Sequence, residues 1–258
     1  MTEPQLDLTR PSSARVWNYL LGGTDNFEID RTVGDQIRDA LPEIVLVAQG
    51  QRKLLARAVT WLAADVGVRQ FLDIGTGLPV ADNTHEVAQR AAPDARVVYV
   101  DNDPLVLVHA RTLLAGHTGG EIDYIHSAVE DPENILREAA RTLDLSQPVA
   151  LVMLGILGNV ADHDQARDIV RRLLAGVPSG SYLIIADGTS TSPGIIEGQR
   201  RANQSGHPYH LRSPEQIASY FDGLELLDPG VVTTPHWRPE TSTLPPAIDG
   251  YCGVARKP

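Results

Sequence analysis

Two aspartates and a pair of glycines are the residues of this chain best suited to gripping a nucleoside. Asp73-Ile74-Gly75-Thr76-Gly77 ends the apolar run Phe71-Leu72, and Asp101 closes a second run, Val97-Val98-Tyr99-Val100. Glycines two residues apart let a backbone turn sharply and approach a ligand with no Cβ in the way. The helix-compatible stretch from Asn83 to Ala92 fills the gap between the runs. In a strand, glycine turn, helix and strand, an acid at the second strand's end stands beside the turn, where it accepts hydrogen bonds from ribose hydroxyls. The expected ligand is therefore an adenosine-containing cofactor.

A dinucleotide needs its pyrophosphate on the N-terminus of the first helix, and its fingerprint carries a third glycine for close helix packing. Here that position is Val80, preceded by Pro79. S-adenosylmethionine carries no phosphate and needs only the Gly-x-Gly turn behind an acid, the pattern of Asp73, Gly75 and Gly77. It is the cofactor this pattern fits.

The surrounding elements read as an α/β, doubly wound, mostly parallel sheet. Ser12 or Ser13 can cap a helix through Arg15, Trp17 and Tyr19 that Gly22-Gly23 stops. A turn-rich stretch with Asn26 and Phe27 leads to a short helix ending at Leu41, and a longer one follows from Pro42 to near Gly67. Trp17, Tyr19 and Phe27 crowd into a chain only 5% aromatic; they either pack this segment on the core or form a lid hinged at the glycine pair. After Asp101, Pro104 opens a second crossover helix with Leu105, Val108 and Leu113 facing inward. Ile122 to His126 is a third strand, and Val149 to Gly155 a fourth whose unbroken apolar run marks a parallel strand covered on both faces. Gly180 to Asp187 is a fifth, and Leu224 to Leu227 with Gly250 to Ala255 close the sheet as an antiparallel pair. Loops at the carboxyl ends of parallel strands surround the ligand, which puts Val129, Asp131 and Leu154 on the cofactor rim. We expect a helical extension or lid at 1–66, frayed over its first residues, and the cofactor domain at 67–258. The segment Ile195 to Tyr209 is expected to cover the site.

The 258 residues are 42% hydrophobic and 21% charged, the composition of a globular protein. A net charge of -11 disfavours nucleic acid. No apolar stretch spans a bilayer and no signal peptide is visible, so a cytoplasmic monomer or homodimer acting on a small molecule is expected. Cys252 is the only cysteine, which excludes an intrachain disulfide and a thiolate cluster. His207-x-x-His210 with His163 lacks acidic partners at ligand spacing, so no metal is assigned.

The chain resembles the bacterial S-adenosyl methyltransferase family, once catalogued as a domain of unknown function, within the class I, Rossmann-like methyltransferases and their seven-stranded sheet. The resemblance rests on Ser13-Ala14-Arg15, Leu20-Leu21-Gly22-Gly23, Asn26, Gln70 to Pro79, His85-Glu86-Val87-Ala88, Val98 to Pro104, Phe221-Asp222-Gly223 and Trp237-Arg238-Pro239. It implies that Asp73, Gly75, Thr76, Gly77, Asp101 and Asn102 hold S-adenosylmethionine. Arg15 and Asn26 fall within matched runs and join Tyr19 and His163 as substrate or lid candidates. Three rim positions depart from that family's pattern: Ala128 in place of an acid, Gly158 in place of a histidine and Asp187 in place of a histidine. These departures leave the adenine amine to Asp131 or to a backbone amide.

The expected reaction is in-line methyl displacement onto a small molecule, a class that includes secondary metabolites. Proximity and orientation can lower such a barrier by roughly 7 to 11 kcal/mol. A hydroxyl acceptor gains a further ~10²- to 10⁴-fold from a general base, for which His85, His163 and Asp187 are candidates, His85 and Asp187 foremost. One rival is an S-adenosylmethionine-binding regulatory protein without catalysis, consistent with the three departures. Another is a nicotinamide-dependent oxidoreductase, opposed by Val80 and by a chain whose only lysines are Lys53 and Lys257.

Overall fold

The computed structural model describes residues 7–109, 119–204 and 208–258, which leaves Leu113 and His207 outside the described residues. Its centre is a set of short apolar strands whose side chains alternate between two buried faces. Strands β1 (Gln70–Ile74), β2 (Arg96–Asp101), β3 (Ile122–His126), β4 (Ala150–Leu154) and β5 (Tyr182–Gly188) pair in parallel. Two-residue strands β6 (Glu225–Leu226) and β7 (Val232–Thr233) both pair antiparallel with β8 (Gly250–Arg256), itself antiparallel to β5. The order is β3-β2-β1-β4-β5-β8-β6, with β7 off this path. Seven strands thus form the expected path, and β7 is an eighth, too short to carry a sequence signal.

Period-two alternation sorts the core. Leu72, Ile74, Val98, Leu151 and Ile185 face α5 (Pro132–Ala139), α6 (His163–Ala175) and α8 (Pro214–Ala218). Phe71, Val97, Tyr99, Val152 and Ile184 face α3 (Ile44–Trp61) and α4 (Thr84–Ala91). Helix α3 runs into a π-turn over Leu62–Val66 and stops at Gly67, whose φ of 87° is left-handed. Residues 104–109 are helical, but Val106 is buried there while Val108 is exposed, so the helix sits in a different phase from the one expected.

A third cluster lies over the carboxyl end of the sheet. Val16 and Leu20 of α1 (Ser13–Leu20), Val33 and Ile37 of α2 (Glu28–Ala40) and the first turns of α3 pack with Ile195 of α7 (Pro193–Gln204). Gly198 lets α7 approach α2: a Cβ there would stand 3.3 Å from that of Leu41. No helix among the described residues is long and apolar enough to cross a membrane.

Candidate active site

The turn after β1 is held by β2. Gly75 and Thr76 donate their amides to the Val100 carbonyl at 2.8 and 3.2 Å, and Gly77 donates to Asp101 Oδ2 at 2.8 Å. Gly75 and Gly77 have φ of 75° and 68°, a region that only glycine adopts freely. Gly75 has a second reason to lack a side chain, since a Cβ would stand 2.6 Å from Ile156 in the loop after β4. A Cβ on Gly77 would meet nothing within 4 Å, the open face a ligand needs.

Both acids are buried. Asp73 accepts from Thr84 Oγ1 at 2.6 Å and from Thr76 Oγ1 at 3.4 Å. Burial pushes its carboxyl up to about 6, although Thr84 and the Arg52 guanidinium oppose the shift. Burial also raises Asp101, against hydrogen bonds from the Asp103 and Gly77 amides. The Asp103 amide reaches Asp101 Oδ1 at 2.9 Å, so the two amides fix the carboxylate's orientation.

A cavity of about 560 Å³ opens above this turn, within the range of small-molecule sites. Asp73, Gly75, Thr76, Gly77, Asp101, Asn102, Val129, Leu154 and Arg15 line it. So do residues the sequence did not single out, among them Gln51, Arg52, Asn159, Gln199 and Tyr209. Arg15 is buried, with Nε 3.3 Å from Asp30 and 3.7 Å from Asp103. Ser12 occupies the expected N-cap position of α1, but its hydroxyl goes to Asp103 instead of capping the helix. The N-terminal segment is thereby tied to the loop that carries Asp101.

Six further candidates do not line this cavity. The Asp131 carboxylate caps α5, accepting from the Asn134 amide at 3.2 Å. His85 is buried between α4 and β2, with Nδ1 2.8 Å from the Tyr99 hydroxyl. Tyr19 donates its hydroxyl to Asp35 at 2.7 Å on the outer surface. Asn26 donates to Asn18 Oδ1 and to the Gly23 carbonyl, both at 2.9 Å, and so braces the glycine turn. His163 lies beside Ser219 and Tyr220, 3.1 and 3.4 Å from their hydroxyls. Asp187 is buried beneath Gly188, whose amide meets its Oδ1 at 3.2 Å, while Oδ2 has no hydrogen-bond partner among the described residues. Burial pushes Asp187 up to about 7, with the Gly188 amide and Arg212 opposing.

The departure at Gly158 has a steric counterpart. A Cβ at that position would overlap Tyr209 Cζ, so the Tyr209 ring occupies the room a larger side chain would take. The Tyr209 hydroxyl accepts from the Gly188 amide at 3.3 Å. Among the described residues, no group of three or more His, Cys, Asp or Glu is arranged to hold a metal ion.

The donor set fits an adenosyl group without phosphate. The N-terminus of α4, where a pyrophosphate would sit, is already occupied: the Glu86 carboxylate accepts from the Asn83 amide at 2.7 Å. Asp101 remains on the cavity wall, where its carboxylate could accept hydrogen bonds from a ribose. Sheet order and glycine turn together define a class I methyltransferase. Magnesium protoporphyrin IX methyltransferase from Synechocystis, solved with bound S-adenosylhomocysteine, shares this fold at 15% identity, with a TM-score of 0.55 over 94% of this chain and 93% of that one.

The S-adenosyl methyltransferase family model matches residues 1–258, and the chain belongs to that family of S-adenosylmethionine-dependent enzymes. A DUF574 family protein from Streptomyces avermitilis is 40% identical, with a TM-score of 0.93 over 98% of this chain and 100% of that one. A candidate methyltransferase from Thermobifida fusca is 39% identical, with a TM-score of 0.91 over 98% and 97%. None of the curated proteins matches.

Proposed function

We propose that the chain transfers a methyl group to a small-molecule acceptor bound in the same cavity as the cofactor. One observation carries this reading: a single enclosure runs from Asp101 and Gly77 across Gly155 and Ile156 to the helices of the N-terminal extension. S-adenosylmethionine supplies a methyl on a sulfonium whose charge disappears on transfer, so alignment and exclusion of water supply much of the rate.

In this reading Asp101 accepts from the ribose hydroxyls, Gly75 to Gly77 lie against the adenosyl chain, and Val129 and Leu154 flank the adenine. Residues 7–66 act as a cover, held by Arg15 and Ser12 on Asp103. Asp187 and His85 support the rim and the α4 contact from outside the cavity instead of touching the acceptor. Calorimetry with S-adenosylhomocysteine and, separately, NADH tests the proposal. Binding of the first alone is expected; binding of NADH alone would overturn it.

A further inference from the structure

Gln51 is 3% exposed, lines the cavity, and its carboxamide has no hydrogen-bond partner among the described residues. Its amide opens onto the cavity, where a ligand can supply the bonds that the protein does not. Gln51 stands over the end of β4, since a Cβ on Gly155 would be 3.1 Å from its Oε1. Strands β2 and β4 flank β1, and neighbouring strands lie about 4.8 Å apart, so Gln51 is ~10 Å across the sheet from the ribose acid. It therefore belongs to the other end of the cavity.

The surroundings of Gln51 define that end. Ile44 and Val47 precede it on the same face of α3, Leu41 and Ile195 close over them, and Leu211 and the Tyr209 ring complete the wall. Charged side chains on the cavity wall belong to the N-terminal segment 7–15, to Arg52 and Asp73, and to the end of β2 and the loops after β2 and β3. Around Gln51 the wall from α2, α7 and 208–211 carries none among the described residues. The neighbouring Arg52 lines the cavity as well, with its Nη2 committed to the Ala81 and Asp82 carbonyls at 3.0 and 2.6 Å. An anionic or cationic acceptor finds no countercharge here, and a charge buried unpaired is strongly disfavoured.

We infer that the acceptor is a neutral, largely apolar molecule carrying a hydroxyl, and that Gln51 is the positioning residue that holds this hydroxyl through its carboxamide. The inference rests on the methyl-transfer reading of the cavity and names the acceptor class within it.

The test uses the full chain saturated with S-adenosylhomocysteine and three probes of one shape: naphthol, naphthalene and naphthoate. Calorimetry near neutral pH is expected to show naphthol binding about tenfold or more tightly than naphthalene, the discrimination a site built for a hydroxyl provides, with naphthoate weakest. Gln51→Met, close in volume but without the amide, is expected to erase the preference for naphthol over naphthalene while leaving S-adenosylhomocysteine affinity unchanged. Equal binding of naphthoate and naphthol overturns the inference, as does failure of all three probes to bind. Loss of S-adenosylhomocysteine affinity in Gln51→Met also overturns it, by placing Gln51 on the cofactor. Should Gln51→Met fail to fold, the three probes on the unaltered chain still decide the acceptor class. If S-adenosylhomocysteine itself does not bind the unaltered chain, the cofactor reading falls, an outcome distinct from any of these.

Discussion

The half of the cavity around Asp101 is made of strand ends and backbone amides, whereas the half around Gln51 is made of helix faces from α2, α3 and α7. Each half has a buried acid beneath it, and the two acids are treated differently. Asp73 receives hydroxyls from Thr84 and Thr76. Asp187 meets backbone amides but no hydroxyl, and its Oδ2 has no hydrogen-bond partner among the described residues. The acid under one half is satisfied by side-chain hydroxyls, while the acid behind the wall of the other half keeps one carboxylate oxygen without a partner among the described residues.

The largest test of this contrast is Asp187→Asn read against pH. Burial holds the folded carboxyl at about 7 against an ordinary 3.8, so the folded state binds the proton more tightly than the unfolded state between those values. Stability therefore falls as pH rises from 3.8 to about 7 and is flat on either side for this group. At about 1.36 kcal/mol per unit the full effect is on the order of 4 kcal/mol. Asparagine abolishes that fall, so denaturant titrations should show the variant gaining on the unaltered chain above about 7 and not below 3.8. A gap that does not change with pH would mean Asp187 is better solvated than its burial indicates.

Asp101→Ala comes next. Charge-assisted hydrogen bonds contribute about 1.5–3 kcal/mol each, so loss of the ribose contact should weaken S-adenosylhomocysteine ~100-fold by calorimetry while the circular dichroism spectrum stays native. The naphthol probe separates the halves, because its own binding site lacks Asp101. Unchanged S-adenosylhomocysteine affinity would end the ribose assignment.

Gly75→Ala and Gly77→Ala sharpen the same comparison through stability. Both force a side chain into left-handed backbone, a cost of roughly 1–2 kcal/mol, but only at Gly75 does the new Cβ strike Ile156, at 2.6 Å. Gly75→Ala should therefore lower the melting temperature more than Gly77→Ala. Equal losses would mean the loop after β4 moves aside freely.

Legibility in the sequence follows the same division. The strands were readable because burial on both faces makes them continuous apolar runs, and the turn was readable because Asp73, Gly75 and Gly77 are contiguous. The half around Gln51 draws on segments far apart in sequence, which no local pattern joins. Gln51 itself left a trace: it is a polar residue on the buried stripe formed by Ala48, Leu55 and Ala58. Asp131 shows the opposite difficulty. Its place after β3 suggests a rim acid, yet an aspartate before a proline is also a helix-start signal, and the Asn134 amide takes its carboxylate. His85 lies close to the glycine turn in sequence, but its helical phase turns it toward Tyr99 instead of the cavity.

The smallest expected effect belongs to Tyr209. Its ring fills the space beside Gly158 and lines the cavity, while its hydroxyl accepts from the Gly188 amide at 3.3 Å. Tyr209→Phe keeps the ring and removes that bond, a change of about 0.5–1.5 kcal/mol, so naphthol affinity should fall by at most about tenfold and S-adenosylhomocysteine affinity not at all. Gly158→Ala attacks the same contact from the other side: its Cβ would displace the ring, and the probe should weaken more than in Tyr209→Phe. The reverse ranking would show that the hydroxyl, not the ring, shapes the acceptor wall, and would move the hydrogen-bonding role from Gln51 to Tyr209.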